Sequence, residues 1–225
     1  HRDLHSFPTR RSSDLSCSEE YGKNTQITMI RRRLERLQSV AAQRSNYFTF
    51  VFENFYDPHN VSAALRSIDG CGFQDLYIIM GKNSFRLNKD VTRGVHKWMN
   101  VHQVESIREC IQQLKRDGYR VLIAEPRPDE VPLNKMQFQQ KTAFIFGQEG
   151  YGVSETSHEL ADGVFYISMR GFSQSFNVSV SVALTAYSVR EYAEKHLNPE
   201  EWLLPAEERE ALLTRWIGDE KLIDE

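Results

Sequence analysis

The segment ISMRGFSQSFNVSVS, residues Ile167–Ser181, determines how the rest of the sequence is interpreted. The residues that lead into it predict a strand over Gly163–Ser168, because aromatic and branched side chains favour extended backbone. Its polar middle predicts a loop over Met169–Ser175. A long helix is then predicted over Phe176–His196, which contains neither glycine nor proline. A strand, a loop and a helix in this order are typical of an α/β protein.

The start of that predicted helix is the first candidate site. Ser175 or Asn177 can cap the helix, and the first amide groups of the helix then face the loop. The small side chains of Ser179, Ser181 and Ala183 allow the helix to pack closely against neighbouring backbone. Taken alone, a capped helix with a closely packed face is the simpler explanation of these residues.

Strands and helices alternate along the rest of the chain, with short loops between them. Strands are predicted over Tyr47–Glu53, Asp75–Met80, Arg120–Ala124 and Thr142–Phe146, helices over Ile27–Arg44, Val61–Cys71, Val104–Asp117 and Glu207–Ile217, and a loop over Glu125–Val131. This alternation favours an α/β fold with a mainly parallel sheet.

Two further segments could carry chemistry. The first, Asn60–Arg66 (NVSAALR), follows the turn residues DPH, and its arginine either contacts phosphate or ribose or is an ordinary surface residue. The second, Phe146–Gly152 (FGQEGYG), follows a buried strand, and its glycines allow the backbone to approach a ligand closely. A plain tight turn explains those glycines equally well, but it does not explain Glu149.

The charge of the chain is unevenly distributed. The 225 residues carry a net charge of −3, of which Pro199–Glu225 contribute −6, so the remainder carries +3. A basic cluster lies in the predicted helix near the start, formed by Arg31, Arg32, Arg33 and Arg36. Such a cluster is either a solvated helix face or an arm that contacts phosphates.

Several classes of protein are disfavoured by composition. The longest apolar runs, such as Tyr77–Met80 and Ala143–Phe146, are too short to cross a membrane. Three cysteines without a C-x-x-C pair suggest neither a disulfide framework nor a zinc site, and Cys71 and Cys110 are expected to be buried, inert thiols. We therefore expect a protein of the reducing cytoplasm.

The chain is expected to contain four regions. Residues 1–15, HRDLHSFPTRRSSDL, resemble a translated sequencing adapter and are left out of the functional argument. Residues 16–46 are expected to form a basic helical extension, residues 47–196 the main domain, and residues 197–225 an acidic helical extension.

The three candidate segments, in this order and spacing, resemble the motifs of the SpoU/TrmH family of RNA ribose 2′-O-methyltransferases, within the SPOUT superfamily. The matches are N-x-x-x-x-x-R after the DPH turn, G-Q-E-x-x-G, and S-x-N-V-S-V-S, and the resemblance extends from about Phe50 to Tyr192. The first match is similar to the branch that modifies guanosine 18 of transfer RNA. The chain departs from the family at Ser168, where proline is common, and at Phe176, where leucine is common.

The resemblance implies a parallel sheet with helices on both faces, a C-terminal trefoil knot, and S-adenosyl-L-methionine as cofactor, with no metal. It implies catalytic roles for Arg66, which would anchor phosphate and stabilise developing charge, and for Asn60 and Glu149, which would orient either Arg66 or the neighbouring chain. The residues expected to bind the cofactor are Ala124, Gly147, Gln148, Gly152, Ile167, Met169, Ser175, Phe176 and Asn177. The residues expected to bind RNA are Arg31, Arg32, Arg33, Arg36 and Arg190.

The expected partners are a transfer RNA and a second copy of the chain. Two alternatives stay open at this stage. One is a related methyltransferase that acts on ribosomal RNA, and the other is an RNA-binding paralogue without activity. The presence of Asn60, Arg66, Glu149 and Asn177 argues against the inactive paralogue.

Overall fold

A computed structural model describes residues 31–55, 57–80, 94–148 and 150–219, except for the side chains of His96 and Asp219. The predicted catalytic residue Glu149 lies outside the described residues, as does the adapter-like segment of residues 1–15.

A seven-stranded sheet forms the centre of the molecule, and all its pairings are parallel. The strands are β1 (Phe48–Glu53), β2 (Asp75–Ile79), β3 (Asn100–Val104), β4 (Arg120–Ala124), β5 (Val131–Pro132), β6 (Thr142–Phe146) and β7 (Gly163–Tyr166). Their order across the sheet is β3-β2-β1-β6-β4-β7-β5. The predicted parallel α/β fold is therefore confirmed, although β3 and the short β5 were not predicted.

Seven helices are described. They are α1 (residues 31–41), α2 (Pro58–Gly70), α3 (Ile107–Arg116), α4 (Glu155–Leu160), α5 (Val178–His196), α6 (Pro199–Trp202) and α7 (Ala206–Asp219). Single turns of 3₁₀ helix cover Val95–Lys97 and Leu133–Lys135.

Capping residues explain where the helices depart from the predictions. The helix predicted from Val104 starts at Ile107, because Ser106 caps it and Val104 still belongs to β3. The helix predicted from Val61 starts at Pro58, since Asp57 accepts a hydrogen bond from the amide of His59. Proline is well tolerated in the first turn of a helix, where its missing N–H is not needed.

Helices cover both faces of the sheet. On one face, phenylalanines of β1 and β6 pack against α2 and α5, as Phe50 and Phe144 do with ring centroids 5.8 Å apart. On the other face, Val51 and Ile145 pack in a second cluster with α3 and α4. Consecutive residues of a strand point to opposite faces, so a run such as FTFVFE supplies both cores. A third cluster, which includes Leu37 and Trp216, packs α1 against α7.

The register aligns the C-terminal ends of four neighbouring strands, β1, β6, β4 and β7, along one side of the sheet, here called the carboxyl edge. Phe52 of β1 pairs with Phe146 of β6, and Ala124 of β4 pairs with Phe165 of β7. The loops that follow β4, β6 and β7 therefore leave the sheet side by side. In open α/β sheets this edge is where ligands bind.

Candidate active site

The loop after β6 is a tight turn closed by backbone hydrogen bonds. The amide of Gln148 donates to the carbonyl of Gly152 at 3.0 Å, and the amide of Gly152 donates back at 2.9 Å. Gly150 and Gly152 have positive φ angles of 86° and 71°. A Cβ atom on Gly147 would lie 2.2 Å from the carbonyl carbon and oxygen of Gly152, so no other residue fits there without movement. Turn geometry thus accounts for all three glycines.

Glu125 lies beside this loop, and the sequence analysis missed it. It directly follows β4, and its carboxylate is held by Arg127 Nε and His158 Nε2, each at 2.9 Å. A Cβ atom on Gly152 would lie 3.7 Å from its Oε1. A carboxylate placed immediately after a buried strand was the only sequence signal, and the prediction of a loop over Glu125–Val131 obscured it.

A second carboxylate that was not predicted, Glu53, ends β1 and is only 2% exposed. It accepts hydrogen bonds from the hydroxyl of Ser157 at 2.7 Å and from the amide of Ser154 at 3.2 Å. It thereby fixes the start of α4 against the sheet. Burial, with a smaller contribution from Glu53, raises the pKa of Cys110 to about 12, so this thiol stays neutral and inert.

Asn60 and Asn177 come into direct contact, although 117 positions separate them. Asn177 Oδ1 accepts hydrogen bonds from the amide and the hydroxyl of Ser179, at 2.8 and 2.6 Å, and so caps α5. Its Nδ2 donates to Asn60 Oδ1 at 3.1 Å. Of the two predicted capping residues, Asn177 is therefore the one that caps this helix. The contact joins the segment Asn60–Arg66 to the segment Ile167–Ser181 at the carboxyl edge, where both α2 and α5 begin.

Arg66 lies on the exposed side of α2. It is six residues beyond Asn60, which corresponds to about 9 Å along the helix. Among the residues that the structure describes, none forms a hydrogen bond or an ion pair with it. Its guanidinium is available to an external anion.

The predicted cofactor residues group at the carboxyl edge. Ala124, Gly147 and Ile167 lie at or just after the ends of β4, β6 and β7, and all three are half-buried. Met169 is half-buried in the following loop, while Ser175 and Phe176 are exposed near the start of α5. The carboxyl edge thus presents backbone groups and apolar side chains at the ends of three neighbouring strands.

A wide groove of about 1110 Å³ lies between α1 and α5, and we call it the basic groove. Arg32, Arg33 and Arg36 line it, together with Trp98, Tyr187 and Trp216. Arg31 instead pairs with Glu35 on the exposed helix face at 3.1 Å. Four of the five predicted RNA-binding arginines therefore line the groove, three of them on α1 and the fourth, Arg190, on α5.

Two arginines at the base of this groove have partners within the protein. Arg44 is buried and pairs with Asp69 at 2.5 Å. Arg190 donates to the backbone and side-chain oxygens of Gln43 at 2.8 and 2.7 Å, pairs with Glu194 at 2.6 Å and lies 4.5 Å over the ring of Trp202. These contacts give Arg190 a structural role in this conformation, and the prediction that it contacts RNA stays a prediction.

The described residues contain neither a metal-ion cluster nor a membrane-spanning helix. No cluster of three or more histidine, cysteine, aspartate or glutamate side chains that could hold a metal ion occurs among them. No helix in the described ranges is both long and apolar enough to cross a membrane.

Known proteins resemble this chain in sequence and fold. Residues 47–187 match the SpoU rRNA Methylase family. The tRNA (guanosine(18)-2'-O)-methyltransferase of Borreliella burgdorferi is 36% identical over 154 residues, which cover 68% of this chain and 71% of that protein. The Thermus thermophilus protein of the same name is 32% identical over 72% of this chain and 83% of its own length. The crystal structure of the A. aeolicus TrmH/SpoU tRNA modifying enzyme superposes with a TM-score of 0.75 at 27% identity, over 85% of this chain and 98% of the other.

Proposed function

The chain belongs to the SpoU rRNA methylase family, and we propose that it transfers a methyl group from S-adenosylmethionine to the ribose 2′-hydroxyl of guanosine 18 in the D-loop of transfer RNA. The observation that carries the proposal is the hydrogen bond between Asn60 and Asn177. It brings two of the family's three motifs together at the carboxyl edge. Relatives named tRNA (guanosine(18)-2'-O)-methyltransferase, at up to 36% identity, support the choice of nucleotide. A transfer-RNA substrate is consistent with the cytoplasmic location expected from the sequence.

The carboxyl edge suits the cofactor. The half-buried strand ends at Ala124, Gly147 and Ile167 offer backbone and apolar groups to an adenosine, and paired backbone hydrogen bonds between Gln148 and Gly152 close the adjacent turn. S-adenosylmethionine, when bound, supplies an electrophilic methyl group on its sulfonium. The residues proposed to hold it are Ala124, Gly147, Gln148, Gly152, Ile167, Met169, Ser175, Phe176 and Asn177.

The protein's remaining task is to position a weak nucleophile and to stabilise the charge that develops on its oxygen. Arg66 is exposed on α2 and has no partner among the described residues, so it can anchor an RNA phosphate and stabilise the developing alkoxide. Deprotonation of an arginine side chain costs much free energy, so we propose that removal of the proton from the 2′-hydroxyl is only a secondary role of Arg66. Asn60, fixed by Asn177, orients the start of α2, and Glu149 is proposed to help position Arg66.

The RNA is proposed to extend over the basic groove. Arg32, Arg33 and Arg36 line its wall, and Arg31 lies on the same helix. Contacts of such arginines with phosphates release counterions, so binding is expected to weaken steeply as salt is raised.

The family fold further supports a homodimer and a trefoil knot. Phe176, Val180, Leu184 and Tyr187 are exposed and recur at intervals of four, four and three residues, which places them on one face of α5 or at its start. We call this set the α5 stripe. A second copy of the chain is its proposed partner, and the knot is proposed for the C-terminal half that holds residues 147–177.

The experiment that tests the function is mass-spectrometric mapping of methylated riboses after incubation with S-adenosylmethionine and either bulk transfer RNA or ribosomal RNA. The expected result is one methylated ribose, at guanosine 18. Methylation confined to ribosomal RNA would support the alternative that the family's own name suggests. Cofactor binding by calorimetry with no methylation of either RNA would support an inactive paralogue.

A further inference from the structure

Exposed aromatic side chains are few among the described residues, because most phenylalanines lie in the core. Phe176 and Tyr187 belong to the α5 stripe. Tyr151 and Phe172 do not, and they are the most exposed large hydrophobic residues described, at 86% and 110% of their reference areas. These two rings therefore require a separate explanation.

Both rings occupy loops of the carboxyl edge. Tyr151 lies between Gly150 and Gly152 in the turn after β6, and Phe172 follows Gly171 in the loop after β7. Only β4 separates these two strands, so their ends are about 10 Å apart, or two strand spacings. The rings thus stand on two of the loops that surround the proposed cofactor region.

Neither ring contributes to the packing of the described part of the chain. No ring–ring contact or side-chain hydrogen bond of Tyr151 or Phe172 occurs among the described residues, and neither belongs to a hydrophobic cluster. A single exposed apolar side chain needs no explanation. Here, however, the two most exposed large hydrophobic side chains among the described residues fall on two loops of one candidate site, and both are aromatic.

We propose that Tyr151 and Phe172 are stacking platforms for nucleobases on either side of the ribose that is methylated. The inference rests on the proposed function. Bases of an RNA loop that docks against this edge lose part of the stacking with their neighbours, and aromatic side chains can replace it. Arg170, exposed two residues before Phe172, can contact the adjacent phosphate.

The test compares five variants: Phe172→Ala, Tyr151→Ala, Phe172→Leu, Phe172→Trp and Val131→Ala. Each alanine variant is expected to raise the KM for transfer RNA about 10-fold, while cofactor affinity measured by calorimetry stays the same. Phe172→Leu keeps an apolar side chain but no π-face, and is expected to behave like Phe172→Ala. Phe172→Trp is expected to retain the wild-type KM. Val131 is an exposed apolar residue on the edge strand β5, and its replacement is expected to change nothing.

Three results would overturn the stacking role. The first is an unchanged KM in both alanine variants. The second is a wild-type KM in Phe172→Leu, which would mean that apolar contact alone suffices. The third is a shift to monomer in light scattering of Phe172→Ala, which would assign the ring to contact with a second copy of the chain. Failure of the proposed function is distinguishable, because the wild-type protein would then leave transfer RNA unmethylated.

Discussion

Helix α2 and the basic groove both contain arginines, but these arginines have different surroundings. On α2, Arg66 is exposed and has no partner among the described residues. At the base of the groove, Arg44 and Arg190 are held by Asp69, Gln43 and other groups of the protein. A sequence shows only that arginine is present. The partners in the fold distinguish an arginine that binds a substrate from one that stabilises the protein.

The strongest test of this difference is Arg66→Ala. We expect turnover to fall roughly 100- to 1000-fold, as on loss of one well-placed charge stabiliser, with the dissociation constant for S-adenosylmethionine nearly unchanged. Arg66→Lys is expected to rescue little, since lysine lacks the planar fork that fixes two oxygens at once. Loss of cofactor binding together with normal single-turnover methyl transfer would remove Arg66 from its assigned role.

The turn after β6 offers the next largest effect. Gly147→Ala would push a Cβ atom into the backbone of Gly152, so we expect a loss of about 1–3 kcal/mol in the free energy of unfolding, together with weaker cofactor binding. Gly171→Ala is the matched control, because its Cβ atom would meet nothing within 4 Å. Urea unfolding and calorimetry measure the two quantities, and equal behaviour of the two variants would contradict a rigid, closed turn.

Substitutions of two arginines of the groove are expected to affect different properties, the stability of the protein in one case and RNA binding in the other. Arg190→Ala removes hydrogen bonds to Gln43 and the contact with Trp202, so it should reduce the free energy of unfolding by about 2 kcal/mol. Arg36→Ala should leave stability within about 0.5 kcal/mol and lower the salt dependence of RNA binding by about one counterion. The opposite pattern, with Arg190 setting the salt dependence and Arg36 the stability, would reverse the roles assigned here.

The smallest effect is expected at the start of the chain. Deletion of residues 1–15 should leave methyl transfer unchanged, because that segment resembles a translated adapter. A steady-state assay of the shortened protein against the full chain is sufficient. A large loss of activity would show that the segment belongs to the functional protein.

The sequence predicted correctly those elements that depend on local patterns. The run FTFVFE predicts β1, and the uninterrupted helical stretch up to His196 predicts α5, because strand and helix propensities depend on residues that are neighbours in the chain. The short helix α4 escaped prediction, since six residues, ETSHEL, show almost no helical periodicity.

The candidate site was predicted in its parts but not in its assembly. Asn60, Arg66 and Asn177 were found through their motifs, yet the contact between Asn60 and Asn177 depends on how α2 and α5 pack across one face of the sheet. Glu53 and Glu125 likewise each have a partner from a distant segment, Ser157 and His158 respectively. Neighbouring residues in the sequence do not indicate contacts between distant segments, so these carboxylates looked like ordinary charged residues at strand ends.

The central claim is that the methyl acceptor is the 2′-hydroxyl of guanosine 18, and one substrate tests it most directly. A transfer RNA with 2′-deoxyguanosine at position 18 keeps the base and the fold but lacks the proposed nucleophile. We expect a labelled methyl group to be transferred from S-adenosylmethionine to the unmodified RNA. We expect no transfer to the deoxy substrate. Equal labelling of both RNAs would contradict the account, because the methyl group would then be going to a base or to another ribose.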